Sequence, residues 1–198
     1  MRLTKFLSRE SGFPLQELFL KRISYRAFGD ERLTEEELLS LFEAARWAPS
    51  SYNNQPWRFV YVRSTDPEWN DFFNTLVDFN KLWCKRADTL VVVITKHTFD
   101  HNGKPSATAS FDTGAAWMSL ALEATSRNII AHAMEGFDKK EMEKLLHISE
   151  PYSVQAMIAI GKRGKTEDLP EELQKEEKPS NRRPLAEILF RGKFTPRS

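Results

Sequence analysis

The chain is short of cysteine, of glycine-rich motifs, of long apolar runs and of excess charge of either sign. Each shortage removes a class of function. The single cysteine, Cys84, cannot form an internal disulfide and suits a reducing compartment. It lies among helix-like apolar residues with no histidine near it in sequence, so a buried, inert thiol is expected rather than a nucleophile. Lysine and arginine total 29 against 28 acidic residues, a net charge of +1, which provides no field for nucleic acid or an anionic membrane. Any anionic ligand must be held by local arginines. The longest purely aliphatic run, Leu90 to Ile94, is far short of a membrane span, and Met1 to Phe13 contains no apolar core of signal-peptide length. A soluble, cytoplasmic protein is expected. There is no Gly-x-Gly-x-x-Gly stretch, Walker loop or Gly-x-Ser-x-Gly elbow, and Gly161 to Gly164 is too short to cradle a diphosphate. A nicotinamide dinucleotide, if used, is therefore not held in a Rossmann site. His97 and His101 have ligand spacing for a helix, but Gly103 and Pro105 argue for a loop, and with no third ligand in view no metal site is expected.

What the chain does have is length for one well-cored domain, 198 residues with no interior linker, and a surplus of aromatics, 14 Phe and 5 Trp. Aromatics in excess of a core's needs serve interfaces or planar ligands. Pro14 opens a short helix carrying Leu15, Leu18 and Phe19. A capping box, Thr34 with Glu37, starts an amphipathic helix with Leu38, Leu41, Phe42 and Ala45 on one face. Phe59 to Val62 and Thr89 to Thr95 read as strands covered on both faces, and Ser153 to Ile160 as a third, with a shorter strand at Ala131 to Gly136. Between the first two, Asp66-Pro67 starts a helix through Trp69, Phe73 and Phe79 towards Lys85. A long helix spans about Ser110 to Ser126, and Asn128 stands where a left-handed stop belongs. Lys165 to Pro179 is rich in Glu and Lys and reads as a solvated arm, yet Pro184 to Phe190 regains apolar character. An arm ending in an apolar segment suggests docking on a partner subunit.

Two stretches could carry chemistry. Arg22, Ser24 and Arg26 alternate, so extended backbone points them to one side over about 13 Å at ~3.3 Å per residue. That span suits an elongated ligand with an anionic tail and an electron-rich ring. The guanidinium forks would grip the tail. Arg182-Arg183 could close the anion site from the far end of the chain. The second stretch is Ala48 to Trp57, stiffened by Pro49 and Pro56 and rich in neutral donors and acceptors. It serves either as an ordinary helix-to-strand connection or as a clamp for a flat polar ligand.

These residues match a family pattern. Arg22-Ile-Ser24-Tyr-Arg26-Ala-Phe28 resembles the Arg-x-Ser-x-Arg-x-Phe signature of the FMN-dependent nitroreductase family, and Ala48-Pro49-Ser50-Ser51 through Asn54-Gln55-Pro56-Trp57 resembles its second motif. Met134-Glu135-Gly136-Phe137 is similar to the turn beneath the flavin, and Arg182-Arg183-Pro184-Leu185 to the carboxy-terminal phosphate contact. The resemblance implies an α+β fold with a central mixed sheet flanked by helices, in a homodimer with exchanged C-terminal arms. It implies one domain over 1–198, of which 165–198 is the arm, and FMN at the dimer interface. Arg22, Ser24 and Arg26 would come from one subunit, and Pro49, Ser50, Ser51 and Asn53 from the other. Asn80 would meet the pyrimidine edge, Glu135 and Gly136 would offer backbone N–H groups to the ring, and Arg182 or Arg183 would reach the phosphate. Two positions depart from the pattern: Trp83 replaces a frequent lysine, and Asn128-Ile129 replaces Gly-Leu. The implied activity is reduction of nitroaromatics, quinones or similar electrophiles with NADH or NADPH by a ping-pong mechanism. A non-catalytic FMN carrier or redox sensor is the alternative.

Overall fold

In the computed structural model, residues 5–195 are described. Two short antiparallel strands, β1 (Lys5–Phe6) and β2 (Arg9–Glu10), precede a single helical turn, α1 (Leu18–Lys21). α2 (Glu35–Arg46) starts at the expected capping box: Thr34 Oγ1 accepts from Glu37 N at 3.1 Å, and the Glu37 carboxylate accepts from Thr34 N at 3.0 Å. Its buried face is Leu38, Leu41 and Ala45. β3 (Trp57–Arg63), α3 (Trp69–Asn74), α4 (Asp78–Cys84) and β4 (Thr89–Lys96) follow, then the long α5 (Ala109–Ser126) and β5 (Ile129–Met134). α6 (Lys139–Leu145) and β6 (Tyr152–Lys162) complete the body, and the arm carries two single-turn helices, α7 (Glu171–Gln174) and α8 (Leu185–Ile188).

The four long strands form one sheet in the order β3-β4-β6-β5, antiparallel at every pairing. A mixed sheet was the expectation; within the described residues β6 lies between β4 and β5 and runs opposite to both. β4 is the spine, apolar on both faces. Leu90, Val92 and Ile94 pack with Trp83, Met134 and Met157, while Val91 and Val93 pack with Leu38, Leu41 and Leu120. Each such side chain fully buried contributes about 1.5–3 kcal/mol. α2 and α5 therefore cover one face, and α3, α4 and α6 the other.

The sequence suggested one helix from Asp66 to Lys85, but the structure has two. The break falls where the backbone is diverted to another segment: Leu76 bridges Phe137, Val77 N donates to Gly136 O at 3.0 Å, and Asp138 N donates to Thr75 O at 2.8 Å. The helix stop at Asn128 is as expected, with φ 57°. The start of the arm is not solvated, since Leu169 and Leu173 are buried in the core. Beyond Ser180 the described residues are largely exposed, and Leu185, Ile188 and Leu189 face solvent in the single chain.

Candidate functional site

Arg22 to Ala27 belongs to no strand, so its backbone is secured by other means. At its end, Phe28 bridges Arg163, Gly29 N donates to Lys162 O, and Gly164 N donates to Ala27 O at 2.7 Å. A Cβ on Gly164 would lie 2.4 Å from the Phe28 carbonyl oxygen, so only glycine permits this approach. Docked in this way, the extended segment places Arg22 Nη1 3.2 Å from Ser24 Oγ, as the alternation implied.

Arg22, Ser24, Arg26 and Arg182 line one cavity of about 320 Å³, together with Arg9, His132 and Lys178. Residues from the two ends of the chain thus meet. Arg183 does not: its side chain is 82% exposed and lies 4.0 Å from Glu187. Arg9 was not singled out from sequence. Its Nη1 donates to the carbonyls of Leu20 (2.7 Å) and Arg22 (2.9 Å), and its Nε donates to the Ser180 carbonyl (2.9 Å), fastening the arm to the segment. Arg22 has its pKa lowered, first by burial and then by the nearby charges of Arg182 and Arg9. Arg9 is lowered by burial and then by Arg182. Like charges crowded in a partly buried space repel one another, and an anion among them would relieve that repulsion.

Next to Arg26 lies an aromatic cluster. The Arg26 guanidinium lies 6.0 Å from the Trp83 ring, and its Nε is buried without a hydrogen-bond partner among the described residues. Trp83 lies between Phe28 (6.2 Å) and His132 (4.6 Å). Its Nε1 is likewise buried and unpartnered. His132 sits 3.0 Å from the Tyr25 carbonyl through Nδ1, which fixes the proton on Nδ1 and leaves Nε2 an acceptor. Burial, reinforced by the charges of Arg26 and Arg22, pushes its pKa down to about 4. The ring is therefore neutral at ordinary pH. His132 carried no sequence signal beyond being polar inside an apolar strand. Cys84 is buried and its thiol is pushed up by burial, so it stays protonated.

Asn80 and Gly136 also meet. Asn80 Nδ2 donates to Gly136 O at 2.9 Å, and a Cβ on Gly136 would stand 2.6 Å from that nitrogen. The turn Glu135–Gly136 therefore depends on glycine and is locked by Asn80. Glu135 itself is exposed, and its carbonyl accepts from Phe137 N at 2.8 Å.

Pro49, Ser50, Ser51 and Asn53 do not line this cavity within one chain. Ser51 to Asn53 form one 3-10 turn, with Tyr52 at φ 53°, Asn53 at 52° and Gln55 at 47°. Non-glycine residues pay for such backbone angles, roughly 1–2 kcal/mol each, with Asn among the more tolerant. The turn is held by Ser51 N donating to Asp112 Oδ2 (3.1 Å) and Gln55 N donating to Ser50 Oγ (3.0 Å). Asn54 bonds Thr98 O and Asp100 N. The His97 to Ala107 region is the expected loop, and no group of three or more metal-ligating side chains occurs among the described residues. No helix among them is long and apolar enough to cross a membrane.

The sequence model of the Nitroreductase family matches residues 20–162. Protein DrgA of Synechocystis is 30% identical over 170 residues, covering 71% of this chain and 79% of that protein. A solved structure described as an oxidoreductase containing FMN is 43% identical with a TM-score of 0.93, covering 98% of this chain and 100% of that one. A Desulfovibrio desulfuricans structure solved in complex with FMN is 25% identical with a TM-score of 0.70, covering 93% and 100%. Matched by this family's model over most of its length, residues 20–162, the chain belongs to the nitroreductase family.

Proposed function

We propose that this protein is an FMN-dependent oxidoreductase that takes electrons from NADH or NADPH and passes them, by a ping-pong mechanism, to nitroaromatic, quinone or similar conjugated electrophiles. The observation that carries this is the convergence of Arg22, Ser24, Arg26 and Arg182 on one cavity. The donor set fits a phosphorylated aromatic cofactor. At one end Arg22 crowds against Arg9 and Arg182, whose mutual repulsion a phosphate would relieve. Further along the segment Arg26 lies over Trp83 of α4, the helix that also carries Asn80, with its Nε unpartnered among the described residues. The names of the FMN-containing relatives support the same assignment.

FMN supplies the hydride chemistry when bound; the chain's residues bind, orient and tune it. Arg22, Arg182 and Ser24 would hold the phosphate and the linker. The Arg26 guanidinium would favour, electrostatically, the negative charge that reduction adds to the ring. Asn80 fixes the Glu135–Gly136 turn, which would position the edge of the ring. Pro49, Ser50, Ser51 and Asn53 of a second copy complete the site in a homodimer. The apolar segment from Leu185 to Leu189 at the end of the 165–198 arm packs on that partner. The test is the absorbance spectrum of the purified protein, followed by anaerobic titration with NADH and NADPH. Flavin bands that bleach rapidly support the enzyme. Flavin that resists both nicotinamides supports the carrier or sensor reading, and a colourless protein that takes up no FMN ends both.

A further inference from the structure

Glu177 lies on the arm, just beyond α7, and its side chain is 0% exposed. Burying a carboxylate costs several kcal/mol unless donors surround it. Here Oε1 accepts from Arg26 N (2.9 Å) and Ala27 N (2.8 Å), Oε2 lies 3.0 Å from Arg26 N, and Arg163 provides the counter-charge. Arg163 is itself stacked 3.8 Å from the Tyr25 ring. The N–H of Arg26 and the carbonyl of Tyr25 belong to the same planar peptide unit. The carbonyl is taken by His132 and the N–H by Glu177. One peptide plane in an otherwise unladdered segment is thus fixed from both sides. Its orientation sets φ of Arg26, and with it the direction in which the Arg26 side chain leaves the backbone.

We propose that Glu177 is a positioning residue of the cavity: by clamping the Tyr25–Arg26 peptide it aims the Arg26 guanidinium at the ligand, and it ties that aim to the seating of the arm. The proposal rests on the flavin reading of the cavity. A carboxylate needed only to moor the arm could have paired with Arg163 at the surface. This one is buried, and besides pairing with Arg163 it lies within hydrogen-bond distance of the Arg26 N–H through both oxygens and accepts from the Ala27 N–H through one.

The test is a double-mutant cycle on the FMN-loaded protein, read as the two-electron potential and as FMN affinity. Arg26→Gln alone should lower the potential. Glu177→Ala should weaken reduced flavin about tenfold relative to oxidised flavin, a fall of about 30 mV for a two-electron couple. Added to Arg26→Gln, it should lower the potential no further, because the guanidinium it aims is gone. Glu177→Gln keeps a carbonyl oxygen for both N–H groups and should restore the potential to within about threefold in the same ratio. If Glu177→Ala does not fold, Glu177→Met fills similar volume without accepting a hydrogen bond and takes its place in the cycle. A Glu177 effect that is absent, or that adds fully to Arg26→Gln, overturns the positioning role while leaving the flavin site standing. An Arg26→Gln protein with unchanged potential and unchanged FMN affinity overturns the placement of Arg26 against the ring, and the proposal with it.

Discussion

Around the cationic cavity, guanidinium groups from distant parts of the chain are pushed together, and braces such as Arg9 to Ser180 and Glu177 to Arg26 hold them there. The stretch from Ser51 to Gln55 is prepared differently. It is neutral, its polar groups are largely paired, and its cost lies in three left-handed backbone angles rather than in charge. One region waits for a counter-charge; the other holds a shape. On the proposed reading the contrast suits a phosphorylated ring shared between two chains: affinity for the charged tail would come from the first region and shape against the flat part from the second. Strain of this kind persists only where surrounding structure over-determines it, and the Asp112, Ser50 and Asn54 contacts do that here.

Four measurements would break or sharpen this comparison. The largest effect is expected at His132. Its folded pKa of about 4 lies below the ordinary 6.5, so the unfolded chain binds the extra proton between those values. Stability from this group is therefore full above about pH 6.5 and is lost as pH falls towards 4, by about 3 kcal/mol. His132→Asn, which can still donate to the Tyr25 carbonyl, should flatten that slope in denaturant titrations at pH 4–7. An equal slope in both proteins would mean that the wall of the cavity is less buried than the structure has it.

Next, Arg22→Ala should weaken FMN binding by about 1.5–3 kcal/mol, the value of a hydrogen bond to a charged group. Fluorescence titration of the apoprotein measures it, and Ser50→Ala in the turn should cost less. A turn variant that costs more than Arg22→Ala would reverse the assignment of charge to one region and shape to the other. Arg26→Gln should lower the two-electron potential by about 30–65 mV, the equivalent of 1.5–3 kcal/mol, whereas Arg22→Ala should leave it nearly fixed. Spectroelectrochemistry on the two variants decides which arginine faces the ring. The smallest effect is at Gln55, where φ is 47°. Gln55→Gly should relieve strain and gain up to about 1 kcal/mol, raising the melting temperature by ~2–4 °C. A loss of stability there would show that the turn carries no such strain.

Much of this architecture was legible because it is local. The capping box at Thr34 and Glu37, the twin-faced apolar run of β4, the helix stop at Asn128 and the alternation of Arg22, Ser24 and Arg26 are periodicities and spacings of neighbouring residues. They act over a turn or a few strand residues, so the chain itself specifies them. What failed was non-local. The helix expected through Asp66 to Lys85 is broken at Leu76 because a segment some sixty residues later in the chain takes its backbone bonds. The arm read as solvated, yet Leu169, Leu173 and the Glu177 carboxylate are buried by strands and loops that its own composition does not reveal.

The site divides along the same line. Sequence alone determined that arginines would have to hold any anion, because the net charge is near zero, and that Arg22, Ser24 and Arg26 would share a side, because extended backbone alternates. Only tertiary structure decided that Arg182 rather than Arg183 reaches the cavity, and that Arg9 and His132 line it. It also decided that Glu177 and His132 grip opposite ends of one peptide. Those outcomes depend on how the two ends of the chain pack across the sheet. A buried charge is stable only where that packing brings it donors, and no spacing along the chain encodes which donors those will be.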